Sequence, residues 1–221
     1  MMFLYKVQLK GVSKPPVWRK IAIPPKSTFM DFHHAIQDAF DWCGFHLFEF
    51  VESLGGGMMR YGFAPWRIVD KSMHDDIEFV SPDAIDADEI SLAGFVKDGF
   101  NKFYYRYDFG DDWELVITFE GVDVSRDEEE PVVVDSKGAP PPEDCGGIWG
   151  FENIRRLFDE EHEGKVSDPE ELANIREWLG MESDEETWDK FLGFCSVKEY
   201  EESLKKKKPG KARSTAAKSK P

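Results

Sequence analysis

No run of 18 or more apolar residues occurs in the 221-residue chain, so no segment is expected to span a membrane. The opening stretch, Met1 to Lys10, lacks the charged-then-apolar order of a secretory signal and alternates instead like a strand. Cysteine is scarce. Cys43, Cys145 and Cys195 are widely spaced and none belongs to a C-x-x-C motif, which argues against a disulfide framework or a zinc knuckle. An odd, sparse set of this kind reads as reduced thiols in a cytoplasmic protein, with pairing or a shared metal in three dimensions left open. Internal repeats are absent too. The glycine triplet Gly55-Gly56-Gly57 is not followed by G-K-[ST], so it reads as a turn and not as a phosphate cradle.

Basic residues are short everywhere except at one end. Residues 205–221 hold eight of the 28 Lys and Arg and no acid, which leaves the other 204 residues with 20 bases against 44 acids, a net charge of −24. Binding to a nucleic-acid backbone rests on neutralising phosphates with Lys and Arg, so the body of the chain is unsuited to it. For the Lys-rich end three readings are open: a solvated tail, a partner for the acidic body, or a tether to an anionic polymer. Lys205 to Arg213 also has the composition of a nuclear-import signal.

What the chain has in quantity is aromatic and apolar residues, 18 Phe and 7 Trp among them, enough for a sizeable core. Phe3, Tyr5, Val7 and Leu9 alternate on one face of a first strand. Val17, Arg19, Ile21 and Ile23 do so in a second, between Pro15-Pro16 and Pro24-Pro25. A helix follows from about Thr28 to Trp42, capped by Ser27 or Thr28, with Asp31 in its first turn. Steps of 100° put Phe29, Phe32, Ile36 and Phe40 in one stripe, with His33 at its edge and His34 facing water. His46 to Glu52 reads as a strand, and weaker strands are expected around Trp66 to Val69 and Ile77 to Val80, before a break at Ser81-Pro82-Asp83. Phe103 to Phe119 reads as a β-hairpin with an aromatic inner face, turning at Asp108-Phe109-Gly110-Asp111. An acidic, proline-rich connection from Asp123 to Gly147 has room for a short strand at Val132–Val134.

After Gly150 the period becomes helical. Cap signals start helices at Asp168-Pro169 with Glu171, at Ser183 with Glu186 and at Ser196 with Glu199. Gly180 and Gly193 fall where C-terminal glycines belong. The expected fold is α+β: a mainly antiparallel sheet, one long helix packed on it, and a C-terminal helical subdomain. Residues 1–150 form the α+β core, 151–204 the helical part of the same domain, and 205–221 a disordered basic tail.

Four blocks carry a resemblance. They are Val17-Trp18-Arg19-Lys20; Phe32-His33-His34-Ala35-Ile36-Gln37 with Trp42; His46-Leu47-Phe48-Glu49-Phe50; and the pair Tyr107-Asp108-Phe109-Gly110-Asp111-Asp112-Trp113 with Pro141-Pro142-Glu143-Asp144-Cys145-Gly146-Gly147. In order and spacing, over roughly residues 3–195, they resemble the plasmid pRiA4b ORF-3-like family, also called insertion-element passenger TnpR proteins. The resemblance implies no defined activity. Members are mostly uncharacterised, and the label suggests a resolvase by name alone, while no serine-recombinase nucleophile motif is recognisable here. The family pattern places a histidine two positions after the Trp of the first loop block, where this chain has Leu115.

The candidate site is His33, His46, Asp108, Asp111, Asp112, Trp113, Glu143, Asp144 and Cys145. Two readings of it are open. In one, the DFGDD and PPEDCGG loops converge near His33, and carboxylates with imidazoles hold a divalent metal that activates water. In the other, Asp108 and Asp111 bond turn N–H groups, Glu143 and Asp144 fix a loop, and His33 is a hydrogen-bonded, half-buried residue. Cys145 follows two acids and has no cation near it in sequence, which suits a packed thiol and not a nucleophile. The D-F-G lacks every other kinase element. The first functional expectation is therefore a non-catalytic module binding a basic protein or a small ligand; the alternative is a metal-assisted hydrolase. No cofactor is identified.

Overall fold

The computed structural model describes residues 1–13, 15–54, 66–74 and 84–181. The glycine triplet at 55–57, the strand expected around Ile77–Val80, the break at Ser81-Pro82-Asp83, Cys195, the helix starts at Ser183 and Ser196, Gly193 and the basic stretch from Lys205 lie outside them.

Thirteen elements follow one another among the described residues: β1 (Met2–Leu9), β2 (Trp18–Ile23), α1 (Phe29–Phe40), β3 (Phe48–Val51), β4 (Arg67–Val69), α2 (Lys71–His74), β5 (Ile85–Asp86), α3 (Leu92–Lys97), β6 (Lys102–Tyr107), β7 (Trp113–Asp123), β8 (Val132–Lys137), α4 (Gly147–His162) and α5 (Pro169–Trp178). The strands form one eight-stranded sheet in the order β5-β4-β3-β6-β7-β1-β2-β8. Every pairing is antiparallel except β4 with β5. The α+β class is as expected. The single long helix is not: α1 has 12 residues and α4 has 16, because the helical stretch after the acidic connection starts at Gly147 and runs unbroken to His162.

Strand alternation sorts the residues as the sequence indicates. Tyr5, Val7, Ile21, Ile23, Phe50, Phe103, Tyr105 and Ile117 are buried in one cluster with Phe29, Phe32, Ile36 and Phe40 of α1. Tyr5 and Phe32 lie 4.9 Å apart, and Phe32 stacks on Phe50 at 6.0 Å. Offset and edge contacts of this kind add to the gain from area burial alone. Thr28 caps α1: its Oγ1 accepts from the Asp31 N–H, and Asp31 accepts from the Thr28 N–H. The helix ends two residues before the expected Trp42, where Asp41 turns left-handed at φ 57°.

Arg19 faces inward among the apolar residues of β2, as its place in the alternation requires. Its guanidinium donates to the carbonyls of Ala39 near the α1 C-terminus and of Gly138, at 2.7 and 3.0 Å. It lies over the Phe40 ring, and burial lowers its pKa to about 10. A cation at a helix C-terminus is favoured by the dipole, so Arg19 ties α1 to the end of β8. Phe151, Ile154, Leu157 and Phe158 of α4 and Leu172 of α5 belong to the same core cluster. Asp168 caps α5 by accepting from the Glu171 N–H, and Gly180 follows it at φ 64°. Among the described residues no helix is long and apolar enough to cross a membrane.

Candidate functional site

The β6–β7 hairpin closes on the pair Tyr107 and Trp113, leaving Asp108 to Asp112 as its loop. Asp108 and Asp112 adopt left-handed φ of 52° and 55°, a region that Asp enters more readily than most residues. The Asp108 Oδ1 accepts from the Gly110 N–H at 2.9 Å, as expected for turn chemistry. The second loop, Pro141 to Gly147, is fastened onto the first. The Gly146 N–H donates to Asp111 Oδ2 at 3.1 Å, and Gly147, at φ 66°, sits so close that a Cβ there would overlap the Asp111 carbonyl. Trp42 braces both: its indole donates to the Pro141 carbonyl at 3.0 Å, and its ring stacks on Tyr107 at 5.0 Å.

His46 stands where the loops meet. Its Nε2 is 3.2 Å from Asp144 Oδ1 and 3.9 Å from Glu143 Oε1, and its Nδ1 is 3.8 Å from Asp108 Oδ1. The His46 side chain is 32% exposed, Asp108 10% and Asp144 70%, so the cluster opens outward on the Asp144 side. Glu143 is held from behind: it accepts from the Tyr107 hydroxyl and, at 2.5 Å, from the Cys43 N–H. Burial, then this bond to Glu143, pushes the Tyr107 hydroxyl above its ordinary pKa, so it stays a proton donor. One donor atom from each of His46, Asp108 and Asp144 can be chosen so that all three lie within 4.8 Å of one another. All four described non-glycine residues at positive φ are aspartates, Asp41, Asp108, Asp112 and Asp144, and they lie in or beside the three segments that meet here. Strained backbone of this kind costs energy and concentrates at functional sites. Two large aromatics neighbour the cluster in sequence and project to solvent, Phe45 at 80% and Trp149 at 88% exposure.

The other expected site residues go elsewhere. His33 lies in the core, stacked on Phe48 at 3.8 Å, with its Nδ1 2.7 Å from the Tyr105 hydroxyl. That hydroxyl accepts from Gln37 Nε2 at 2.8 Å, leaving its own proton for His33. Burial, reinforced by neighbouring His34, lowers the His33 pKa to about 3, so the ring is neutral. Asp111 fastens Gly146, Trp113 packs between Trp42 and Phe151, and Asp112 accepts from Arg106 at 2.8 Å. Cys145 is a free thiol, pushed up to about 12 by burial and then by Asp111, which suits packing and not nucleophilic attack. Leu115 is fully buried, opposite Leu9 and Tyr105, so the exchange at that position lies in the core.

Sequence reasoning missed a buried charge network on the opposite face of the sheet. Glu49 accepts from Arg106 Nη1 at 2.7 Å and from Arg67 Nε at 2.8 Å, and Arg106 carries on to Asp112. The available signal was a charged residue, Glu49, Arg67 or Arg106, beside the core positions of each of three strands. The network anchors one end of the 108–112 loop to the centre of the sheet.

The family model described as plasmid pRiA4b ORF-3-like protein matches residues 2–191. The uncharacterized protein y4hQ of Sinorhizobium fredii (strain NBRC 101917 / NGR234) is 33% identical over 177 residues, 79% of each chain. A crystal structure of a protein of unknown function from Methanosarcina mazei Go1 superposes with a TM-score of 0.63 at 27% identity, covering 83% of this chain and 91% of that one. Neither relative's name states an activity.

Proposed function

The chain belongs to the plasmid pRiA4b ORF-3-like family, and from that premise we propose that it is a binding module whose site is the His46, Asp108, Glu143 and Asp144 cluster, taking a cationic group of a basic partner. One observation carries this: three carboxylates converge on a single half-exposed imidazole. Among the described residues, the ion pairs these acids make are with His46. Carboxylates held together by backbone and aromatic braces, and not by a Lys or Arg of their own, attract a cation from outside. A guanidinium or ammonium at the open Asp144 side would meet acceptors already in place, and Phe45 and Trp149, near the cluster in sequence, expose rings that can cover an apolar stem. Members of the site that are buried, Asp108 above all, supply the gain; rim charges contribute little.

A second reading has its own support, the fit of His46, Asp108 and Asp144 as metal ligands, with a divalent ion activating water for hydrolysis. The polyatomic cation is favoured because Asp108 stands at Nδ1 and Asp144 at Nε2. The several N–H donors of a guanidinium can meet acids on both sides of the ring at once.

Calorimetry with a hexa-arginine peptide at low salt separates the readings. The protein binds it, and the Asp108→Asn/Asp144→Asn double variant binds about tenfold more weakly, a loss of ~1.4 kcal/mol. Equal affinity for the double variant and the parent sinks the proposal. If instead Zn²⁺ or Mn²⁺ at a hundredfold excess over Kd raises stability by about 2.7 kcal/mol and the peptide does not bind, the metal reading takes its place.

A further inference from the structure

The sequence holds one charged motif that this site does not absorb, the Lys-rich stretch from Lys205 to Arg213, and the fold holds a cleft that matches it. The cleft has a volume of about 510 Å³ and lies between the outer face of α1 and the start of edge strand β8. One wall is Asp31, His34 and Asp38, spaced at three, four and seven residues and therefore on one side of the helix. The other is Glu129, Glu130 and Pro131 leading into Val132 and Val133. The floor is apolar, made of Ile21 and Ala35. Four acids face one Lys, Lys26, across this space. Asp38, Glu129 and Glu130 make no ion pair with any described residue.

That combination has a chemical meaning. A lysine has a four-carbon apolar stem and a charged head, and it binds best where an apolar floor takes the stem and carboxylates at the rim take the ammonium. A second depression, on α4, also has four acids, but Arg155 and Arg156 pair with two of them, Glu152 and Glu160, and no apolar residue lines it. The α1–β8 cleft is where unanswered negative charge and apolar floor coincide.

We propose that this cleft docks the chain's own basic segment, with ammonium groups of Lys205 to Lys208 against Asp38, Glu129 and Glu130. Those lysines lie outside the described residues, and the case for them is charge, composition and reach. Between Met181, the last described residue, and Lys205 there are 24 residue steps, a maximum span of ~80 Å. A body of this size has a radius of gyration of only about 16 Å. The segment is tethered, so its effective concentration at the cleft is high, and a weak contact suffices to hold it there. Docking also keeps Lys205 to Lys208 from competing for the His46 cluster, which lies at different loops.

Zero-length carbodiimide cross-linking of the full chain, read by peptide mass spectrometry, tests this. The expected result is amide links from Lys205–Lys208 to Asp38, Glu129 or Glu130 whose yield does not change on dilution, is suppressed by 0.5 M salt, and falls at least fivefold in the Glu129→Lys/Glu130→Lys variant. Both of those side chains are exposed, so the variant is expected to fold, which its circular dichroism and melting temperature check. Links to Glu143 or Asp144, links scattered over the acidic surface, links whose yield rises with protein concentration, or no links at all would overturn the proposal. A failure here leaves the hexa-arginine result untouched, since that experiment reads a different set of acids.

Discussion

Burial removes the charge of His33 and gives the molecule a pH dependence with a definite sign. Its folded pKa is held near 3 against an ordinary 6.5, so between those values the unfolded chain binds more protons than the folded one. The contribution is complete above about pH 6.5 and is lost as pH falls toward 3, at up to ~1.4 kcal/mol per pH unit. Urea midpoints measured from pH 7 to 4 should therefore fall, and His33→Gln should flatten that slope whatever it does to the absolute value. An unchanged slope in the variant would mean the ring is protonated in the fold. The same residue shows how far sequence reading reached. Helical spacing placed His33 inward and His34 outward, and both are so placed. Spacing could not say that the Tyr105 hydroxyl, 72 positions away, occupies the ring nitrogen and takes His33 out of the cluster around His46.

Among the elements, the α4 N-terminus and the two loops behave as one unit. Gly150 sits so close to the Cys145 carbonyl that an added Cβ would overlap it, and the neighbouring contact is backbone and cannot swing aside. Gly150→Ala should cost about 1–3 kcal/mol, in the range of overpacked sites. It should also weaken hexa-arginine binding by shifting Glu143 and Asp144, which thermal melts and calorimetry on the same sample would report. Normal stability with normal binding would show that the loop tolerates displacement and is not what aligns the acids. Strands with clean alternation, the capped α1 and the aromatic hairpin were legible because each is dictated by neighbours in sequence. The order of strands, the short α3, the early start of α4 at Gly147 and the Glu49–Arg67–Arg106 network were not, because each depends on partners brought together only by the sheet. Convergence of the DFGDD and PPEDCGG loops belonged to one of the two readings the sequence left open, and Asp111 with Gly146 and Gly147 is where the loops touch.

For the whole molecule, one sheet carries the aromatic core on its α1 face and two separate negative features at its periphery: the His46 cluster beside the hairpin loop, and the cleft at the β8 edge. A net charge of −16 attracts any cation weakly and without address, an effect screened beyond a Debye length of ~8 Å at physiological salt. A built site is distinguished from that background by location. The direct measurement is an amide ¹H–¹⁵N titration of the full chain with hexa-arginine at 0.15 M salt. A binding module of the kind described would show saturable shifts confined to residues 43–46, 108–112 and 143–149, with the α1–β8 cleft unmoved. Shifts spread across the acidic surface without saturation would contradict it.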